Sequence, residues 1–300
     1  MPFVEPRNRP LPTESASNGC FETMRAYGGR IFRLEDHLDR LDASAQFLGT
    51  RMSADRSRLA GQLVTALKRS RLREAVVRVA LIPSVQPHSP AQLLREPGQA
   101  GRHPQRNRGM PQNGAPAFPS IMVQPAVPLP SAVYRRGIRV VVVPARKFSV
   151  GSVDPQAKYS ARLGSILAVM DAQLRGVDEA LFLDAVGSVT ESTASNVGIV
   201  SRGVIRTPPC WLGLLPGITR DVLFELARGL RLPIEESPLT RHELYNADEA
   251  FLTSTLKEVL AVTWIDGRRI GTGRPGPITN RLLRAFRALV RQELKQRSGA

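Results

Sequence analysis

The sequence is poor in cysteine, lysine and aromatic residues, and each scarcity closes off a class of protein. Two cysteines, Cys20 and Cys210, cannot make a disulfide framework, and neither lies in a Cys-x-x-Cys or Cys/His cluster of metal-ligand spacing. Structural zinc is excluded, and no metal site is expected. No run of about 18 apolar residues occurs, so no membrane-spanning helix is expected. The opening stretch MPFVEPRNRPLPTESAS lacks the apolar core of a secretory signal, which makes a cytoplasmic location the expectation. Aromatic residues are 5% of the chain, and no helix-turn-helix, zinc-finger or RNP-like motif accompanies its formal charge of +16. That charge is carried almost wholly by arginines spread along the chain. An arginine bias in composition explains it better than a nucleic-acid surface does.

What is present is a core. Three hundred residues, 42% of them apolar, suffice for two globular domains. CFETMRAYGGRIFR at 20–33 reads as a hairpin around Gly28-Gly29. Leu34, Leu38, Leu41, Ala45 and Leu48 recur at helical spacing, as do Leu59, Leu63 and Leu67, and the strand-like AVVRVALI follows at 75–82. Between Pro83 and Pro130 the pattern stops, with eleven of the chain's 24 prolines. IRVVVVP at 138–144 is a β-branched apolar run of the kind buried on both faces of a sheet. A helix around 160–175 is followed by strands in EALFLD, VTES and NVGIVS. A helix over 219–230, a capping box from Thr240 and Glu243, the strand EAFLTS and a terminal helix over 279–296 complete the reading. The fold class is α/β, in two domains: a small one over 1–118, with 86–118 as a disordered loop, a linker over 119–132, and a large one over 133–300.

Five lysines are few enough to weigh one by one. Lys68 lies among arginines on an amphipathic helix, Lys295 in the C-terminal tail, Lys147 follows Arg146, and Lys257 opens a helix-like turn. Lys158 alone stands between a buried-type strand and an apolar helix start, where a lysine can lose its proton and act as a nucleophile. By itself that placement also suits an exposed structural lysine. Glu191, in VTESTASN, is a carboxylate among small polar residues at a strand end. LLPGITRD at 214–221 leads a Pro-Gly turn into a helix, whose free N–H groups and dipole suit a phosphate. Thr253, Ser254 and Thr255 form a second hydroxyl-lined turn after a strand. Either turn, taken alone, is more often a plain helix cap or strand end.

In order along the chain, these segments resemble the class IV aminotransferases, the fold-type IV pyridoxal-phosphate family of branched-chain and D-amino acid aminotransferases and aminodeoxychorismate lyases. The resemblance covers about 20–82 and 137–290. It runs through FETMR at 21–25, HLDRL at 37–41, Lys158, DEALFLD at 178–184, VTESTASN at 189–196, LPGITR at 215–220, NADEAFLTST at 246–255 and GPIT at 276–279.

The resemblance implies pyridoxal phosphate as cofactor, held in the cleft between the domains, and a homodimer. It makes Lys158 the lysine that binds the cofactor covalently and shuttles a proton, and Glu191 the carboxylate that keeps the pyridine nitrogen protonated. Arg40, backbone N–H groups of Ile218 and Thr219, and the Thr255 hydroxyl become phosphate ligands. Arg78, in the position of a strand arginine of branched-chain enzymes, is a candidate for a substrate carboxylate, although Val76 replaces the accompanying tyrosine. Glu22 and Arg25 are expected to line or brace the substrate side. Where the family usually has Asn and often Tyr, three and four residues after the lysine, stand Ala161 and Arg162. The expected reaction is transamination between an amino acid, branched-chain-like, and a 2-oxo acid such as 2-oxoglutarate. The alternatives are a lyase releasing 4-aminobenzoate and pyruvate, and, more remotely, a non-catalytic basic binding protein on the same scaffold. His37 reads as helix packing, His103 as a loop residue and His242 as part of a capped helix.

Overall fold

The computed structural model describes residues 19–53, 55–83, 115–147 and 154–296. The N-terminal lobe is a five-stranded sheet in the order β2-β1-β4-β5-β3, built from β1 (Cys20–Tyr27), β2 (Arg30–Ile31), β3 (Thr50–Met52), β4 (Ala75–Pro83) and β5 (Ala115–Pro125). Gly28 and Gly29 both take positive φ, 57° and 83°, as a two-residue turn joining Tyr27 to Arg30 requires. Helices α1 (Leu34–Phe47) and α2 (Arg56–Ser70) cover the sheet. They bury Leu38, Leu41, Leu59, Leu63 and Leu67 against Met24, Val77 and Val79. Each such side chain contributes about 1.5–3 kcal/mol on leaving water.

The lobe differs from expectation at its end. Residues 115–125, assigned to the tail of a loop and to a linker, form β5, which pairs antiparallel with β4 from Pro83↔Ala117 to Ala75↔Pro125. The prolines that argued against a strand stand at 116, 119 and 125. Residues 115 and 116 pair with β3 alone and 118–125 with β4 alone, so each of these prolines has one unpaired side, as at a sheet edge, where proline is tolerated. The rest of the expected loop, like residues 1–18, lies outside the described residues.

The C-terminal lobe carries β6 (Ile138–Arg146), β7 (Glu179–Leu183), β8 (Val189–Ser192), β9 (Asn196–Ser201), β10 (Val204–Thr207), β11 (Ile234–Glu236), β12 (Glu249–Ser254), β13 (Glu258–Ile265) and β14 (Arg268–Arg269). The run β9-β12-β13-β6-β7-β8 returns to β9 through the single pair Glu191↔Asn196, so six strands form a ring. Val140, Leu181, Val197, Leu252 and Leu260 belong to the core cluster that these strands share. The apolar run of β6 lies between two parallel partners, β13 and β7, as a doubly buried strand should.

Helices α3 (Ser131–Arg136), α4 (Leu163–Leu174), α5 (Ile218–Gly229), α6 (Arg241–Tyr245) and α7 (Pro277–Gln296) surround the ring. Thr240 and Glu243 make the capping box at α6 in both directions. Helix α7 buries Leu282, Phe286 and Val290 against Phe251 and Val259, and Phe32 of the small lobe meets Phe286 edge-on at 5.6 Å. Helix α4 is inverted: Ala168 and Ala172 face the sheet, while Leu163, Ile166, Leu167, Met170 and Leu174 are exposed, Leu174 at 87%. Among the described residues no helix is long and apolar enough to cross a membrane.

Candidate active site

The site forms where the two lobes meet around Lys158. Two backbone hydrogen bonds hold this stretch to the small lobe as a bridge between Cys20 and Tyr159: Phe21 N–H donates to the Lys158 carbonyl (3.0 Å) and Ser160 N–H to the Gly19 carbonyl (2.9 Å). A third contact comes from α1, where the Ser44 hydroxyl accepts from Lys158 N–H at 3.0 Å and donates to the Arg40 carbonyl at 2.8 Å. The Lys158 ammonium lies 4.9 Å from the centre of the buried Phe21 ring. Loss of water around the amine, together with the charges of Arg40 and Arg162, brings its pKa down to about 7 despite Glu22 and Glu191. A lysine in that range is in part a free amine at neutral pH.

Arg40 is held more firmly. Its Nε and Nη2 donate to the two oxygens of Glu22 at 2.6 and 2.8 Å, and its Nη1 donates to the Pro216 carbonyl at 2.7 Å. His37 Nδ1 lies 2.8 Å from Glu22 Oε2. Burial alone would raise the Glu22 carboxyl, but the Arg40 charge and the hydrogen bonds from His37 and Arg40 outweigh it and hold the group well below the usual carboxylate range. Burial pushes His37 down, so it stays neutral.

The large lobe supplies the rest. Glu191 Oε2 accepts from Leu215 N–H at 3.1 Å, and Oε1 pairs with Lys147. Asn196, beside Glu191 in the ring-closing pair, donates to the Leu215 carbonyl at 2.8 Å. A Cβ on Gly217 would lie 1.9 Å from Asn196 Oδ1, so the Pro-Gly turn approaches as only glycine allows. Gly217 caps α5, whose first amides, at Ile218 and Thr219, have no acceptor within the helix. Thr253 is the register partner of Asn196, so the turn carrying Thr255 leaves the sheet beside the Pro-Gly turn. Glu179, fully enclosed, pairs with Lys257 and accepts from the Thr193 hydroxyl at 2.5 Å, which ties the loop after Glu191 to the turn after Thr255. The Ser160 and Ser195 hydroxyls are buried without a partner.

The structure gathers Arg40, Lys158, Glu191, Ile218 and Thr219 into one region. Arg78 reaches it too: paired with Thr23 across β1 and β4, its guanidinium carbon lies 5.4 Å from the Phe21 ring centre. Glu22 braces Arg40, and Arg25 stands apart from both. Glu22 points into the small-lobe core, because β1 alternates and even-numbered positions face α1. Arg25 lies at the far end of β1, bonded to Glu74 at 2.9 Å. GPIT at 276–279 is a helix start capped by Glu249, which accepts from Ile278 and Thr279 N–H at 2.9 and 2.7 Å. Phe21, Ser44, Asn196 and Lys147 were missed. Ser44 follows Arg40 by one helical turn, the signal that places both on one face.

A half-neutral lysine, a guanidinium beside a helix N-terminus and a buried carboxylate define a site for a phosphorylated carbonyl compound captured by an amine. The two partnerless serine hydroxyls leave hydrogen-bonding capacity for such a group. Residues 19–265 match the family model described as amino-transferase class IV. The chain belongs to this family, and as a member it is a pyridoxal-phosphate-dependent aminotransferase acting on small amino and 2-oxo acids.

A putative branched-chain-amino-acid aminotransferase of Methanocaldococcus jannaschii is 36% identical, over 90% of this chain and 86% of its own length. The branched-chain-amino-acid aminotransferase of Pseudomonas aeruginosa is 34% identical, over 91% and 84%. Among solved structures, the branched-chain aminotransferase of Thermoproteus uzoniensis with norvaline superposes with a TM-score of 0.78 at 30% identity, over 96% and 91% of the chains. The branched-chain amino acid aminotransferase of Thermobaculum terrenum in its PLP-form also gives 0.78, at 28% identity, over 93% and 86%.

Proposed function

We propose that this aminotransferase moves the amino group of a branched-chain-like amino acid to a 2-oxo acid such as 2-oxoglutarate, as a homodimer in the cytoplasm. The observation that carries the reading is Lys158, a partly neutral amine within the electrostatic reach of Arg40 and Glu191. When bound, pyridoxal phosphate supplies an electron sink for charge developing at the substrate α-carbon.

Everything else falls to the chain. Arg40, fixed by Glu22, holds the phosphate with the Ile218 and Thr219 amides and the Thr255 hydroxyl. Glu191 holds the proton on the ring nitrogen, its carboxylate set in place by the Leu215 amide. Lys158 binds the cofactor and, once released, moves a proton to and from the substrate α-carbon, so one amine serves binding and proton transfer. Arg78 meets a substrate carboxylate. The named relatives support the substrate class. The exposed stripe of α4 supports the dimer, since a monomer rarely leaves so continuous an apolar helix face in water. The free cysteines Cys20 and Cys210 are in keeping with the cytoplasm.

The test is the visible absorption of the cofactor-loaded protein before and after adding L- and D-amino acids one at a time. Bleaching by branched-chain amino acids, reversed by 2-oxoglutarate, is the expected result. Absorption that no amino acid changes, with pyruvate released from aminodeoxychorismate, would replace this reading with the lyase. Size-exclusion chromatography with light scattering checks the dimer.

A further inference from the structure

Three cations converge on one aromatic ring. Around Phe21 stand the Lys158 amine at 4.9 Å, the Arg78 guanidinium carbon at 5.4 Å and that of Arg162 at 5.7 Å from the ring centre. Arg162 immediately precedes α4 and stands four residues after the lysine. Its Nη2 donates to the Thr193 carbonyl at 2.9 Å, in the loop that follows Glu191. That acceptor is a neutral carbonyl. Arg40, by contrast, is paired with a carboxylate, Glu22.

We propose that Arg162 is a positioning residue of the reacting centre, which through its charge and its hold on the Thr193 loop keeps the Lys158 amine ready to capture the cofactor aldehyde. The proposal rests on the reading of Lys158 as the cofactor-binding lysine. Capture joins the Lys158 nitrogen to the aldehyde carbon and releases the aldehyde oxygen as water. It needs the nitrogen lone pair, so it proceeds only from the unprotonated amine.

The charged and titratable groups that act on this amine are Arg40, Glu22 and His37 from the small lobe, Arg162 and Glu191 from the large lobe, and Arg78 on the shared ring. Arg40 acts on the amine in the same direction as Arg162, and Glu22, paired with Arg40 through two hydrogen bonds, opposes it. Arg162 is thus a cation on the large-lobe side whose removal would leave the amine more readily protonated.

The experiment uses cofactor-free protein mixed with pyridoxal phosphate across the neutral range, with borohydride trapping and peptide mass mapping to follow the modified lysine. In Arg162→Met the midpoint of the capture-rate profile rises by about one pH unit, which slows capture about tenfold below the midpoint. In Arg162→Lys, which keeps the charge, the midpoint stays with the wild type. Arg162→Gln repeats the neutralisation with a side chain that retains a hydrogen-bond donor, and guards against a folding defect in the methionine variant. An unmoved midpoint in both neutral variants overturns the proposal. Equal shifts in the lysine and methionine variants overturn it as well, since the cause would then be packing. Wild-type protein that traps cofactor elsewhere than Lys158, or Lys158→Ala that traps it as well as wild type, overturns the underlying assignment and the proposal with it.

Discussion

The two ends of the proposed cofactor site treat positive charge in opposite ways. At the end proposed for the phosphate, Arg40 is matched by a buried carboxylate, backed by a neutral histidine and bonded to the turn before α5, so it is fixed. At the reacting end, Lys158, Arg162 and Arg78 share a single ring, and the lysine, the only one of the three that readily gives up a proton, has its pKa brought down to about 7. In the proposed reading, pairing preserves a charge for holding an anion, whereas burial, helped by neighbouring cations, removes one to make a nucleophile.

This contrast breaks most visibly at Lys158. Lys158→Ala should abolish covalent cofactor capture and cut transamination by about a thousandfold or more, while the melting temperature stays near the wild-type value, because the lysine is held by its backbone. Full activity in this variant would refute the site.

At the other end the effect should be on stability. Glu22→Gln leaves Arg40 without its carboxylate and should cost about 3 kcal/mol in chemical denaturation, with weaker cofactor binding. The pH dependence follows from the direction of the shift. The Glu22 carboxyl is lowered in the folded protein, so its contribution is present above the unfolded value near 4.5 and is lost as pH falls below it. Wild type should therefore lose more stability than Glu22→Gln on acidification below that value, and parallel curves would remove Glu22 from the account.

Glu191→Gln should slow transamination about a hundredfold with cofactor still bound, read from kcat at saturating cofactor. Arg78→Leu should be mildest, raising KM for a dicarboxylic 2-oxo acid about tenfold and changing that for monocarboxylic substrates less. Equal effects on both would move Arg78 from the substrate to the lobe's framework.

Much of this was legible because local patterns and global placement agree. The helical spacing from Leu34 to Leu48, the β-branched run of β6 and the Thr240/Glu243 box each state their structure within a few residues. Lys158, Glu191 and the Pro-Gly turn were legible through their order along the chain. β5 was not, since Pro116, Pro119 and Pro125 read as breakers until the neighbour is known to leave an edge. The face of β1 that Glu22 occupies was not legible, because FETMR gives the strand but not which side meets α1. The ring-closing pair Glu191↔Asn196 and the Ser44 hydroxyl under Lys158 are long-range or backbone contacts, which no spacing reveals.

One consequence follows from how Lys158 is suspended. Its side chain feels Arg162 and Glu191 of the large lobe as well as Arg40 and Glu22 of the small one, while its backbone is tied to Phe21, Gly19 through Ser160, and Ser44, all of the small lobe. A swing of one lobe away from the other would therefore drag the nucleophile off Glu191 and dismantle the machinery. Traffic of substrate in and out must use a doorway that leaves this seam shut.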